Sequence, residues 1–348
     1  MAAFFFSAVT LSAGQTDRFI SDRFHAPRIC HWQAAKIHPN LRRMTLLGIE
    51  IGGTKLQLVA GDPQGRILDR RRFSVDPAAG GEGIRAQIAA ALPELVAEHG
   101  PAALGVGFGG PVDWQTGRIE CSHQVAGWHE FPLGDWLRGI VPFPVAVEND
   151  ANVAALGEAL HGAGRGSDPV FWINMGSGVG GGLVVDGKLY HGAKPGEAEI
   201  GHVRLDKSGT TVEDRCAGWA VDRKIRAAIA ADPSSALARL CQGTTSGEAR
   251  HLAAALAEGD ATATAIVAEV ADDLAFALSH VVQLFHPQVI VVGGGLSLVG
   301  DPLRDAIAIA LPRYVMDSFR PGPRVALAGL GEDSVPVGAL ALAAAAVR

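Results

Sequence analysis

The sequence predicts an α/β protein of two related lobes that face one another across a central ligand cleft. Three observations carry this. A strand, a glycine turn and a second strand near residue 46 recur near residue 170, with Asn174 standing 124 positions after Glu50 in the matching place. Short β-branched runs alternate with stretches of helical period, the pattern of α/β folds. The chain is 348 residues long, 48% hydrophobic, with 44 glycines, which suits two domains with large cores joined by tight turns.

Residues 1–43 show no clean period, and at Met44 the character changes into a strand pattern. The apolar start holds Phe4-Phe5-Phe6, but no Lys or Arg precedes it as a signal peptide requires. Met44 is therefore expected to be the natural start, with 1–43 a disordered tail or mis-assigned start. Strands are predicted at Leu46–Ile51, Leu56–Ala60 and Arg66–Val75, with a turn at Asp62-Pro63-Gln64-Gly65. Ile84, Ile88, Leu92, Leu95 and Val96 recur at helical spacing, in a helix that Pro93 is expected to kink or split. Leu104–Phe108 is a strand running into Gly109-Gly110-Pro111, and Val145–Asp150 is the next strand, with a helical pattern from Val153.

Gly162–Pro169 reads as the linker between a lobe of residues 44–165 and one of residues 166–333. Beyond it come a strand (Val170–Met175), a glycine loop (Gly176–Gly181), a strand (Gly182–Val185) and an Asp186-Gly187 hairpin turn. Ile266, Val270, Leu274, Leu278, Val281 and Phe285 predict one long buried helix face. Gln288–Val292 is an apolar strand ending in Gly293-Gly294-Gly295, followed by a helix from about Pro302 and a strand at Val325–Ala328. The Ala-rich closing helix, within 334–348, is expected to pack back on the first lobe.

The chemistry gathers at Glu148-Asn149-Asp150-Ala151-Asn152, where a strand ends in polar groups. Ligands of open α/β sheets sit outside the carboxyl ends of strands. There an Asp can take a proton from a hydroxyl and an Asn can bond another. The competing reading makes Asn149, Asp150 and Asn152 helix caps, and Asn152 is the better placed of them for that role. The glycine loops admit close approach of backbone N–H groups to phosphate oxygens. Gly176-Ser177-Gly178-Val179-Gly180-Gly181 formally matches GxGxxG, but a strand follows instead of the helix a dinucleotide fold needs. HRD, DFG and GxxxxGK[ST] sequences are absent, which removes protein kinases and P-loop enzymes. One such loop is explained by a hairpin; two in equivalent places with a third glycine cluster favour nucleotide phosphate.

The formal net charge of −6 gives no electrostatic case for nucleic acid or an anionic membrane as partner. No run approaches the roughly 18 apolar residues of a membrane span. Cys30, Cys121, Cys216 and Cys241 form no CxxC pair, which speaks for a reducing, cytoplasmic setting.

Ile49-Glu50-Ile51-Gly52-Gly53-Thr54-Lys55, Glu148-Asn149-Asp150, Gly176–Gly182, Glu199-Ile200-Gly201-His202 and Val292-Gly293-Gly294-Gly295 stand in the order seen in the ROK family, which the chain resembles from Met44 onward. That family holds sugar kinases and sugar-responsive repressors on the actin/hexokinase-like (ribonuclease H-like) fold. The resemblance implies Asp150 as catalytic base, and Gly110, Asn149, Glu199, His202 and Glu213 as sugar contacts. It implies Glu50, Gly52, Gly53, Thr54, Gly176, Ser177, Gly178 and Gly180 facing the phosphates of ATP and Mg²⁺. Gly293, Gly294 and Gly295 would face the adenosine. It also implies a small-molecule sugar and a nucleotide as partners, and a homodimer.

Two features depart from the family. Most members carry Asp where Glu50 stands, one methylene shorter. Many carry a zinc knuckle, the His of the ExGH motif plus three cysteines; here Val203–Val212 contains no cysteine, Thr211 stands for the last one, and Cys216 lies beyond. Zn²⁺ wants four ligands, so no structural zinc is expected. His202 then reads either as sugar-facing or as a hydrogen-bonded core histidine. Gly109, where Pro is common, and His123 point to altered specificity.

The expected function is an ATP- and Mg²⁺-dependent hexose kinase, acting on glucose or a related hexose or N-acetylhexosamine. The alternatives are a polyphosphate-dependent glucokinase and a non-catalytic sugar-responsive regulator of the family. A repressor would need a helix-turn-helix ahead of residue 44, and the prolines Pro27 and Pro39 argue against one.

Overall fold

The computed structural model describes residues 44–347 apart from 123, 195 and 197. The expectations for 1–43 and for His123 lie outside the described residues.

The first half runs β1 (Leu46–Ile51), β2 (Lys55–Gly61), β3 (Ile67–Ser74), α1 (Gly80–His99), β4 (Leu104–Phe108), β5 (Val112–Asp113), β6 (Arg118–Ile119), α2 (Leu133–Arg138), β7 (Val145–Asn149) and α3 (Asp150–His161). The second half runs β8 (Val170–Met175), β9 (Val179–Val185), β10 (Lys188–Leu189), α4 (Val212–Cys216), α5 (Gly218–Ala231), α6 (Ala236–Leu240), α7 (Leu252–Ala257), α8 (Ala261–Phe285), β11 (Val289–Gly293), α9 (Asp301–Ala310), β12 (Arg324–Leu327) and α10 (Ser334–Ala346).

The repeat read from the sequence is a repeat of topology. One sheet has the order β3-β2-β1-β4-β7 and the other β10-β9-β8-β11-β12. In each, the leading strand pairs antiparallel with its hairpin partner and parallel with the next strand inward. β1 and β8 are both six residues long with their one half-buried residue fifth, Glu50 and Asn174.

Period-2 alternation explains that placement. Leu47, Ile49 and Ile51 join the core under α1, while Leu46 packs with Leu340 and Ala343 of α10. Gly48, on the same face as Leu46, leaves room for α10: a Cβ there would lie 3.1 Å from that of Ala339. Glu50 ends this face. In β8, Phe171, Ile173 and Met175 enter the second core, and Val170 and Trp172 pack with the alanines of α3. Asn174 ends that face.

α3 and α10 thus form the layer between the sheets, crossing closely because their contact residues are small. A Cβ on Gly338 would lie 1.8 Å from the Val153 carbonyl oxygen. The chain passes between the sheets at 162–169 and at 328–333, and both crossings meet at Glu158, which is fully buried. Its Oε2 accepts from the Ala163 and Gly329 amides at 2.8 and 2.9 Å. Its Oε1 accepts from the Leu330 amide and the Ser334 hydroxyl, both at 2.8 Å.

Three expectations are corrected. α1 is one uninterrupted 20-residue helix, so Pro93 does not split it. The proline removes a single N–H, while Ile84, Ile88, Leu92 and Leu95 on both sides of it hold the helix to the core. The second glycine loop is shorter than read, because β9 begins at Val179 and Gly180 and Gly181 pair with Asn174 and Ile173. Phe285, at the last turn of α8, is exposed instead of buried, its ring 6.2 Å from that of Tyr190 and tilted 54° to it. Among the described residues no helix is long and apolar enough to cross a membrane.

Candidate active site

The parallel register of β1, β4 and β7 brings Ile51, Phe108 and Asn149 side by side at their carboxyl ends. Asn149 is the cap of α3: its Oδ1 accepts from the amides of Ala151 and Asn152, at 2.9 and 3.2 Å. Its Nδ2 donates to the Gly110 carbonyl at 3.1 Å, which ties the Gly109-Gly110 turn to the helix start and leaves one amide proton for a ligand. The cap is therefore Asn149 and not Asn152. Asn152 is buried and donates to Glu148 Oε1 and to the Gly196 carbonyl.

Asp150 occupies the first position of α3. A helix N-terminus favours a carboxylate, and amides of Ala151 and Asp150 itself do lower its pKa. Burial of the carboxyl and then the nearby negative charge of Glu50 outweigh them, and the pKa rises to about 7. The residue as a whole keeps part of its surface and lines a cavity.

Glu50 and Asp150 line one cavity of about 320 Å³, together with Lys55, Asn174, Gly294 and Gly295. Trp172, Ser297, Gly331, Glu332 and Ser334 complete much of its wall. Glu50 is held on two sides: Lys55 Nζ lies 3.1 Å from its Oε1, and the Gln57 amide donates to its Oε2. The Trp172 indole N–H is buried with no hydrogen-bond partner among the described residues. Its ring lies directly under Gly293, where any Cβ would overlap it.

The remaining predicted residues are not among those that line this cavity. Gly52 and Gly53 form the turn between β1 and β2, closed by the Gly52 amide on the Lys55 carbonyl at 2.9 Å, with Thr54 exposed at its tip. Gly176, exposed Ser177 and Gly178 form the matching turn, closed by the Gly176 amide on the Gly178 carbonyl at 2.9 Å. Gly180 approaches the start of α3, where its Cβ would lie 3.3 Å from that of Ala151. Glu213 joins the second turn directly: its Oε2 accepts from the Val179 amide at 2.9 Å.

Glu199 precedes the short 3-10 turn Ile200–His202, which His202 ends, and both are exposed. His202 is thus no core histidine. The stretch where a zinc knuckle would stand is organised by hydrogen bonds. Asp206 Oδ1 accepts from Ser208 Oγ and from the amides of Gly209 and Thr210, which draws the Asp206 pKa far down. Thr211 caps α4 in a capping box with Asp214. Cys216 Sγ lies 3.8 Å from the Val270 carbonyl, and burial pushes its thiol up to about 12. A cysteine binds zinc as its thiolate, a form that burial disfavours at Cys216, and no group of three or more candidate metal ligands among the described residues includes His202 or Cys216.

Sequence reading missed Lys55, Trp172 and Asn174 as cavity residues. Asn174 carried a usable signal, since it is the repeat counterpart of Glu50. Trp172 carried none, because only the sheet places it under Gly293.

The ROK family model matches residues 46–346. A glucokinase from Thermotoga maritima is 30% identical over 308 residues, covering 86% of this chain and 97% of that protein. A glucokinase from Streptomyces coelicolor is 33% identical over 309 residues, covering 85% and 96%. The solved structure of a ROK family glucokinase from Streptomyces griseus, in complex with glucose and AMPPNP, superposes with a TM-score of 0.75 at 34% identity, covering 86% of this chain and 99% of that one.

Proposed function

The chain belongs to the ROK family, and we propose that it is a hexose kinase that transfers a phosphoryl group from ATP to a sugar hydroxyl, with glucose the default acceptor. The observation that carries the reading is the Asp150 carboxyl, buried beside Glu50 with a pKa of about 7. A general base works best when its pKa lies near the working pH. In the proposed reaction Asp150 takes the proton of the attacking hydroxyl as that oxygen bonds to phosphorus and ADP leaves.

Phosphoryl transfer needs positioning and charge neutralisation more than covalent chemistry. Glu50 offers a hard oxygen ligand in the cavity, the donor type Mg²⁺ takes. Bound with the nucleotide, Mg²⁺ supplies neutralisation of phosphate charge. The turns at Gly52–Thr54 and Gly176–Gly178 would offer amides to phosphates, and Gly293–Gly295 would take the adenosine side. Asn149, Gly110, Glu199, His202 and Glu213 would hold the sugar.

The proposal carries no structural zinc, and divides the lobes at residue 165, with 334–348 returning to the first. Homodimerisation and a cytoplasmic location complete it on family grounds. ADP release from purified protein with Mg-ATP and a panel of hexoses tests the proposal; sugar-dependent turnover supports it, and none with any sugar overturns it.

A further inference from the structure

Gln57 is an unusual residue for its place. It lies in the interior of β2, only 1% exposed, on the face that also carries Lys55 and Val59. A buried amide there costs free energy unless every polar atom is paired. It stands directly across the strand pair from Glu50. Its Nε2 donates to Glu50 Oε2, and its Oε1 accepts from Arg70 Nη1 at 3.3 Å. Arg70 in turn donates to Asp333 Oδ1 at 2.6 Å. Asp333 is flanked by Glu332 and Ser334, both on the cavity wall. The equivalent cross-strand pair in the second hairpin is Asn174 opposite Gly180, which has no side chain to give.

The chain Glu50–Gln57–Arg70–Asp333 therefore fixes one carboxylate oxygen from behind while Lys55 fixes the other. A glutamate here has one more rotatable bond than the aspartate usual in the family. Left alone it would sample more positions, and a cation would have to order it on binding. Second-shell hydrogen bonds of this kind set ligand orientation at metal sites.

We propose that Gln57 is a positioning residue that holds the Glu50 carboxylate ready for the divalent cation of a metal–nucleotide complex. This rests on the kinase reading above, and Gln57 itself does not line the cavity.

The test uses the full chain with AMPPNP and Mn²⁺, free Mn²⁺ being read by electron paramagnetic resonance. Gln57→Leu weakens Mn²⁺ binding at saturating AMPPNP about tenfold, which is about 1.4 kcal/mol. AMPPNP binding without metal stays within about twofold of wild type. Because the effect passes through the longer side chain, Gln57→Leu adds less than about twofold in a Glu50→Asp background. Should Gln57→Leu fail to fold, Arg70→Met frees the amide's other anchor, with a smaller loss, about threefold, that also vanishes with Glu50→Asp. Mn²⁺ binding unchanged by Gln57→Leu, or weakened equally in both backgrounds, overturns the inference alone. A wild-type protein that binds no Mn²⁺ with AMPPNP overturns the kinase reading as well.

Discussion

Glu50 acts on Asp150 through space: its negative charge adds to burial in holding the Asp150 carboxyl protonated up to about pH 7. As the proposed base works ionised, kcat/KM should fall as pH drops below about 7. Glu50→Gln removes the second cause and leaves the first, so the acid limb of its residual activity should move to lower pH. A pH–rate profile of the two proteins reads this directly, and an unmoved limb contradicts the pairing.

The same shift has a consequence for stability. A carboxyl whose folded pKa lies above its unfolded value favours the fold only while protonated. That contribution is present below about pH 4 and is lost as pH rises through about 7. Asp150→Asn should therefore be more stable than wild type at pH 8, by about 1–3 kcal/mol after allowing for partial exposure, and no more stable at pH 4. Urea midpoints at the two pH values measure it. A gain of equal size at both would assign the effect to something other than ionisation.

Glu158 ties both crossings between the sheets, and four donors depend on it. Glu158→Ala strands those donors around a cavity in the interior. A loss of about 3 kcal/mol or more in urea unfolding is expected. Glu158→Gln, which keeps the volume but turns an amide N–H toward another donor, should fall between. A loss below about 1 kcal/mol for the alanine variant would show that the crossings are held elsewhere.

Much of this was legible in the sequence. β1, β4 and β8 were read to the residue, because each is an apolar run bounded by a polar or glycine turn. Asp186 and Gly187 both adopt positive φ, as the hairpin turn requires. The misses have tertiary causes. Gly180 and Gly181 read as loop, yet they are strand, and neighbours crowd them: a Cβ on Gly181 would lie 2.7 Å from the Ala198 carbonyl oxygen. Asn149 stood among the cap candidates, but Asn152 was preferred, because nothing local shows that one amide serves the helix and Gly110 together. The link from Glu213 to the Val179 amide joins residues 34 apart, and no local pattern announces it.

Cys216 tests the zinc-free reading of the second lobe. Its thiol is buried and pushed up to about 12, and α4 starts from the Thr211–Asp214 capping box instead. Protein purified without chelator should carry well under one zinc per chain by elemental analysis, and EDTA should leave its melting temperature unchanged. One tightly held zinc, with unfolding on chelation, would contradict this account.

The central claim is that Asp150 is the base of a sugar kinase, and one comparison meets it most directly. ADP release with Mg-ATP and glucose is measured for wild type and for Asp150→Ala, with glucose binding recorded for both. The account predicts a fall in kcat of at least about a hundredfold with glucose still bound. An Asp150→Ala protein that turns over within about tenfold of wild type would contradict it.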